Sequence, residues 1–125
     1  MRLVQLGLKA YVIGNPTTPA INKSNALLAI SGSGETEFTR YAVDAAKRIG
    51  SKVIVITGEG GSPITRNADI VVQMESKTKF ERGKIPLGTV FELGTMMFLD
   101  SLVVELKKEL KVKEEDMLKR HNVIE

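Results

Sequence analysis

Six consecutive residues, Ser31-Gly32-Ser33-Gly34-Glu35-Thr36, hold the densest chemistry in this 125-residue chain. Two glycines permit a tight turn and close backbone approach, and successive N–H groups in such a turn form a concave anion site. The hydroxyls of Ser31, Ser33 and Thr36 add three donors. An apolar run precedes the loop and a helical pattern follows it. That order puts the loop at the carboxyl end of a strand, where open α/β sheets bind ligands and a helix N-terminus favours negative charge. No Gly-Lys-Ser/Thr follows, as a Walker loop requires, and the glycine spacing is not that of a dinucleotide fingerprint. The loop is expected to bind a small phosphate; the alternative is a plain strand-to-helix turn.

Glu92 is the next candidate, the only charge in Leu87-Gly88-Thr89-Val90-Phe91-Glu92-Leu93-Gly94-Thr95-Met96-Met97-Phe98-Leu99. Such a carboxylate stands either on a narrow solvent stripe or in an apolar cleft. Partial burial would raise its pKa and suit it to general-base work near neutrality, with a structural ion pair as the alternative. Gly88, Thr89 and Thr95 are small neighbours at helical spacing that leave room for a ligand or another helix. Asp100 reads as structural. His121 is the only side chain whose ordinary pKa lies near neutrality, and lone histidines near a C-terminus are often solvated bystanders. Thr17-Thr18-Pro19 would line a site or simply form a turn. The basic segment from Lys77 to Lys84 would be a lid over an anion or an exposed loop.

The elements that must position these residues read as an α/β domain. Apolar runs at Ala10–Ile13, Ala26–Ile30, Val53–Ile56 and Ile70–Val72 each end in turn residues. They are apolar throughout, as in parallel strands covered on both faces. Between the second and third runs, Phe38, Tyr41, Ala42, Ala45, Ala46 and Ile49 recur at helical spacing, and Gly50 marks the stop. Further helices are expected over Pro63–Asn67, Leu87–Leu110 and Lys113–His121. Leu3, Val4 and Leu6, with Gly7, read as the last turns of a helix leading into the first run.

Composition narrows the function classes. The net charge is +3, from 18 basic and 15 acidic residues, with two tyrosines, four phenylalanines and no tryptophan. That suits a small anionic ligand better than a nucleic acid. There is no cysteine and a single histidine, so a disulfide, a thiol nucleophile or a zinc centre is not expected. No run approaches the roughly 18 apolar residues of a membrane span. A cytoplasmic protein of one domain, 1–125, is the simplest expectation.

Taken in order, Gly14…Thr17-Thr18-Pro19, Ser31–Thr36, Pro86-Leu87-Gly88-Thr89…Phe91-Glu92, Phe98-Leu99-Asp100 and Lys119-Arg120-His121 resemble the 6-phospho-3-hexuloisomerase family of the SIS (sugar isomerase) fold. The resemblance runs the whole length of the chain. It implies an open, flavodoxin-like parallel sheet with helices on both faces, and a chain that begins inside the helix after the family's first strand and so lacks that strand and its Gly-x-Gly-x-Ser loop. It implies interconversion of D-arabino-3-hexulose 6-phosphate and fructose 6-phosphate in the ribulose monophosphate pathway of formaldehyde fixation, without a cofactor. By the same resemblance Glu92 is the base, and His121 an acid or ring-opening group reaching a neighbouring subunit. Ser31, Gly32, Ser33, Gly34 and Thr36 would hold the phosphate, and Thr17, Thr18 and Thr89 are possible substrate-loop residues. A homo-oligomer, a tetramer, would follow, with no nucleic-acid or membrane partner. Two other functions stay open, a phosphosugar-binding module and an inactive fragment with exposed strand edges.

Overall fold

A computed structural model of the chain describes residues 1–74 and 85–121. The elements in chain order are α1 (Arg2–Gln5), β1 (Ala26–Ser31), α2 (Glu37–Ile49), β2 (Lys52–Thr57), a 3₁₀ turn (Pro63–Thr65), β3 (Ile70–Gln73), α3 (Thr89–Glu109) and α4 (Glu114–Lys119). They fall into two compact units, Ala20–Met96 and a second made of Met1–Pro19 with the residues from Met97 onward.

In the first unit the strands form one parallel sheet in the order β1-β2-β3. The parallel α/β architecture expected from the alternating apolar runs is thus the observed one. β1 and β2 pair from Ala26↔Lys52 to Ser31↔Thr57, and β2 and β3 from Ile54↔Ile70 to Thr57↔Gln73. Parallel neighbours need a crossover, and α2 supplies it between β1 and β2. Gly50 ends α2 in the left-handed conformation, φ +84°, as its place in the sequence requires. Val43 and Ala46 of α2 pack on Leu27, Ala29, Val53 and Val55 of the sheet, with Ile64 from the 3₁₀ turn, to make the core. Burying a side chain of this size stabilises by about 1.5–3 kcal/mol.

Three details differ from the sequence-based expectation. Phe38, Tyr41 and Ile49 are exposed, so the buried stripe of α2 runs through Val43 and Ala46. The apolar spacing in this helix fits two faces, and contact with β1 and β2 selects the smaller residues. Burial along β1 alternates, with Leu27, Ala29 and Ser31 inside and Leu28 and Ile30 partly exposed, whereas β2 is buried from Val55 through Thr57. The run Ala10–Ile13 forms no strand. A strand persists through ladder hydrogen bonds, and here the Val12 carbonyl instead accepts from Asn15 N–H (3.2 Å) and from Thr18 Oγ1 (2.7 Å). That is a local turn outcompeting a sheet.

The amino ends of the strands are closed by Asp69. Its carboxylate accepts from Val53 N–H (2.8 Å) and from Lys47 Nζ (2.9 Å), while its own N–H donates to the Val53 carbonyl (2.8 Å). One side chain therefore joins the last turn of α2, the start of β2 and the start of β3. The Lys47 hydrogen bond and then the Val53 N–H hold its carboxyl below the usual aspartate range, against a smaller opposing effect of burial.

In the second unit α1 ends at Leu6, followed by Gly7 at φ +89°. Arg120, just past α4, donates to the Gln5 carbonyl (3.0 Å), and Arg2 pairs with Asp100 (2.8 Å). Lys107 of α3 pairs with Glu114 of α4. Among the described residues no helix is long and apolar enough to cross a membrane.

Candidate functional site

Because β1 and β2 stay in register to Ser31 and Thr57, both leave the sheet on one level at the same edge. Each is followed by a glycine-bearing loop. In the first, Gly34 takes φ +67°, a conformation glycine adopts without the steric cost of a Cβ. Its N–H donates to the Ser31 carbonyl (3.2 Å) and to Ser31 Oγ (3.1 Å). Ser31 Oγ also shares a hydrogen bond with Thr36 Oγ1 (2.9 Å). The buried Ser31 hydroxyl thus closes the turn. Ser33 is exposed, and its Oγ accepts from Glu35 N–H (3.2 Å). Thr36 makes no side-chain capping hydrogen bond to α2, and the first-turn N–H groups of that helix, as of any helix, lack an intrahelical partner.

The second loop is tied to the first by backbone. Gly58 N–H donates to the Gly32 carbonyl (3.0 Å) and Ile64 N–H to the Gly34 carbonyl (3.4 Å). Ser62 occupies the space a side chain on Gly34 would need, for a Cβ there would stand 2.0 Å from Ser62 Oγ. Ser62 is 6% exposed, and its hydroxyl has no hydrogen-bond partner among the described residues. The third wall is the start of α3. The Phe91 ring lies 3.2 Å from where a Cβ on Gly32 would stand, so a larger residue would push the loop and helix apart. Gly88, at φ +90°, precedes α3, and its carbonyl accepts from Glu92 N–H (2.9 Å).

The three walls bound an open cleft of about 1000 Å³. Ser31, Gly32, Ser33 and Glu92, four of the residues singled out in the sequence, line it together. Gly34 and Thr36 shape the same loop from behind. Glu92 is exposed on the cleft wall, the first of its two alternatives, beside Gly88, which carries no side chain, and the solvent-exposed Leu87. Thr89 Oγ1 is occupied by the Pro86 carbonyl (2.8 Å). Thr17, Thr18 and His121 belong to the other unit. There Thr17 Oγ1 bonds Asn15 Oδ1 (2.7 Å) and Thr18 Oγ1 the Val12 carbonyl, completing a turn. The basic segment Lys77–Lys84 lies outside the described residues.

Sequence reasoning missed the second loop. Glu59, Ser62 and Arg66 line the cleft too. The signal was present, since parallel strands deliver their following loops to one edge, and Thr57-Gly58-Glu59-Gly60-Gly61-Ser62 follows β2 as Ser31–Thr36 follows β1. Among the described residues no group of three His, Asp or Glu could hold a metal ion.

Residues 10–104 match the model of the SIS domain family. The 3-hexulose-6-phosphate isomerase of Methanocaldococcus jannaschii is 38% identical over 122 residues, covering 97% of this chain and 65% of that protein. The 3-hexulose-6-phosphate isomerase of Methylomonas aminofaciens is 36% identical over 128 residues, covering all of this chain and 71% of that protein. A crystal structure from Methanococcus jannaschii, from which a molecular function of 3-hexulose-6-phosphate isomerase was inferred, superposes with a TM-score of 0.86 at 38% identity, over 98% of this chain and 67% of that one. With the parallel sheet and the serine–glycine loop at its carboxyl edge, these similarities make the chain a member of the SIS domain family, related to its 3-hexulose-6-phosphate isomerases.

Proposed function

We propose that the protein interconverts D-arabino-3-hexulose 6-phosphate and fructose 6-phosphate through an enediol. The observation that carries this reading is that Glu92 and the Ser31–Thr36 loop line one cleft at the carboxyl edge of a parallel sheet. The loop and the N-terminus of α2 offer N–H and hydroxyl donors to a phosphate. A sugar chain extended from that phosphate then runs toward α3. The Glu92 carboxylate takes the proton from C2 of the 3-hexulose, electrons move onto the C3 oxygen, and the 2,3-enediol forms. Return of a proton to C3 leaves the carbonyl at C2. No redox cofactor enters this balance, because the hydride equivalent moves as a proton and an electron pair within the substrate. His121 of a neighbouring copy, in a homotetramer, would serve as the acid that opens the fructose ring.

Proton NMR of fructose 6-phosphate in deuterated buffer tests the chemistry. The protein is expected to exchange the C3 proton, and Glu92→Gln to slow exchange by a factor of about 10²–10⁴. Exchange at C1 instead would make the protein an aldose–ketose isomerase. Full exchange in Glu92→Gln would remove Glu92 from the role of base, and unchanged turnover in His121→Ala would remove the histidine.

A further inference from the structure

Among the described lining residues the cleft offers an anionic ligand one cation, and the second loop carries it. Glu35, Glu59 and Glu92 line the cleft, and Arg66 is the only cation among its described lining residues. A phosphate ester carries close to two negative charges near neutrality. Donors from the Ser31–Thr36 loop orient that group, but the Glu35 and Glu92 carboxylates of the same cleft repel it. Among the described residues Arg66 has no ion-pair partner, although three carboxylates line the same cleft. Its backbone position, by contrast, is fixed. Ile64, two residues earlier, is fully buried, and its N–H bonds the Gly34 carbonyl of the first loop. Thr65 Oγ1 donates to the Ser62 carbonyl (2.7 Å), and Asn67 Nδ2 donates to Asp44 Oδ1 on α2 (2.8 Å). Ser62 is wedged against Gly34 with its hydroxyl unpartnered among the described residues. The turn that carries Arg66 is therefore built onto the phosphate loop itself, an arrangement that serves a binding group held ready.

We infer that Arg66 is a phosphate-binding residue, the guanidinium that offsets the ligand's charge from the second loop; this rests on the phosphosugar reading of the cleft. Arginine suits the task, since its planar fork pairs two phosphate oxygens at once and stays charged. The role also assigns the loop after β2 a share in specificity, selecting phosphorylated over neutral sugars.

The test is calorimetric titration of the full chain with fructose 6-phosphate and, separately, with fructose. Arg66→Gln is expected to weaken fructose 6-phosphate by about ten- to a hundredfold, the range for a hydrogen bond to a charged group, and to leave any fructose binding unchanged. Arg66→Lys should recover part of the loss, which a purely structural role of the side chain would not predict. Unchanged affinity in Arg66→Gln, alongside a clear loss in Ser33→Ala, would overturn the assignment of Arg66 and leave the serine–glycine loop as the phosphate site. No binding of fructose 6-phosphate by the unaltered protein would overturn the phosphosugar reading and the inference with it.

Discussion

The two ends of the parallel sheet treat their polar groups in opposite ways. At the amino end Asp69 meets a lysine and a backbone N–H, and its own N–H finds a carbonyl, so polar groups there satisfy one another. At the carboxyl end the Ser62 hydroxyl is buried without a partner, α2 begins with no side-chain cap, and Arg66 stands without an ion pair among the described residues. Buried polar groups are normally paired. A sheet whose described polar groups complete their bonding at one end and leave it incomplete at the other holds the fold at the first and keeps donors available at the second.

The comparison is most easily broken at Gly34. A Cβ there collides with Ser62 and must be held at φ +67°, so Gly34→Ala should destabilise by about 2–5 kcal/mol, the sum of overpacking and left-handed strain; chemical denaturation checks it. Normal stability would mean the two loops are not pressed together. Gly32→Ala should cost less, about 1 kcal/mol, because the Phe91 ring is able to shift by a few tenths of an ångström, and Phe91→Leu in the same chain should recover most of it. Ser62→Ala sharpens the contrast in the other direction. Removing an unpartnered hydroxyl should leave stability unchanged or raise it by up to about 1 kcal/mol, whereas a clear loss would reveal a hidden partner.

The smallest effect is expected at the amino end, as a dependence on pH. The Asp69 carboxyl is held below its unfolded value, so its contribution is complete above the unfolded pKa of about 3.9 and fades as pH falls below it. Asp69→Asn should lower the melting temperature at pH 7 and narrow the gap from the unaltered protein below pH 4. A gap that persists unchanged at pH 2 would argue against the ionised pairing.

Much of this was legible in the sequence because it rests on local rules. Gly50 after an apolar helical run, and glycines and hydroxyls after a buried run, name a helix end and a tight strand-to-helix loop without knowledge of the rest. What was not legible depended on partners far along the chain. Phe38 and Tyr41 occupy core-like spacing, yet which stripe of α2 is buried is decided by the sheet beneath it. Tyr11, Val12 and Ile13 have strand composition, but composition supplies no neighbouring strand to bond. Asp69 and Arg66 look like ordinary surface charges until the fold brings Lys47 and Val53 to one and the cleft to the other. Glu92 was found by its isolation among apolar residues, while its exposure followed from the glycine and solvent-facing leucine beside it.

The pairing of Ser31 with Thr57 acts as a ruler for how this chain is able to vary. A residue gained or lost within β1 would slide its loop by roughly 3.3 Å along the strand and turn Leu27 and Ala29 outward. The Gly32–Gly58 and Gly34–Ile64 bonds would then miss each other by about the length of a hydrogen bond. Length change is thus costlier before the two loops than beyond them, so the cleft is calibrated by the register of the strands that deliver its loops.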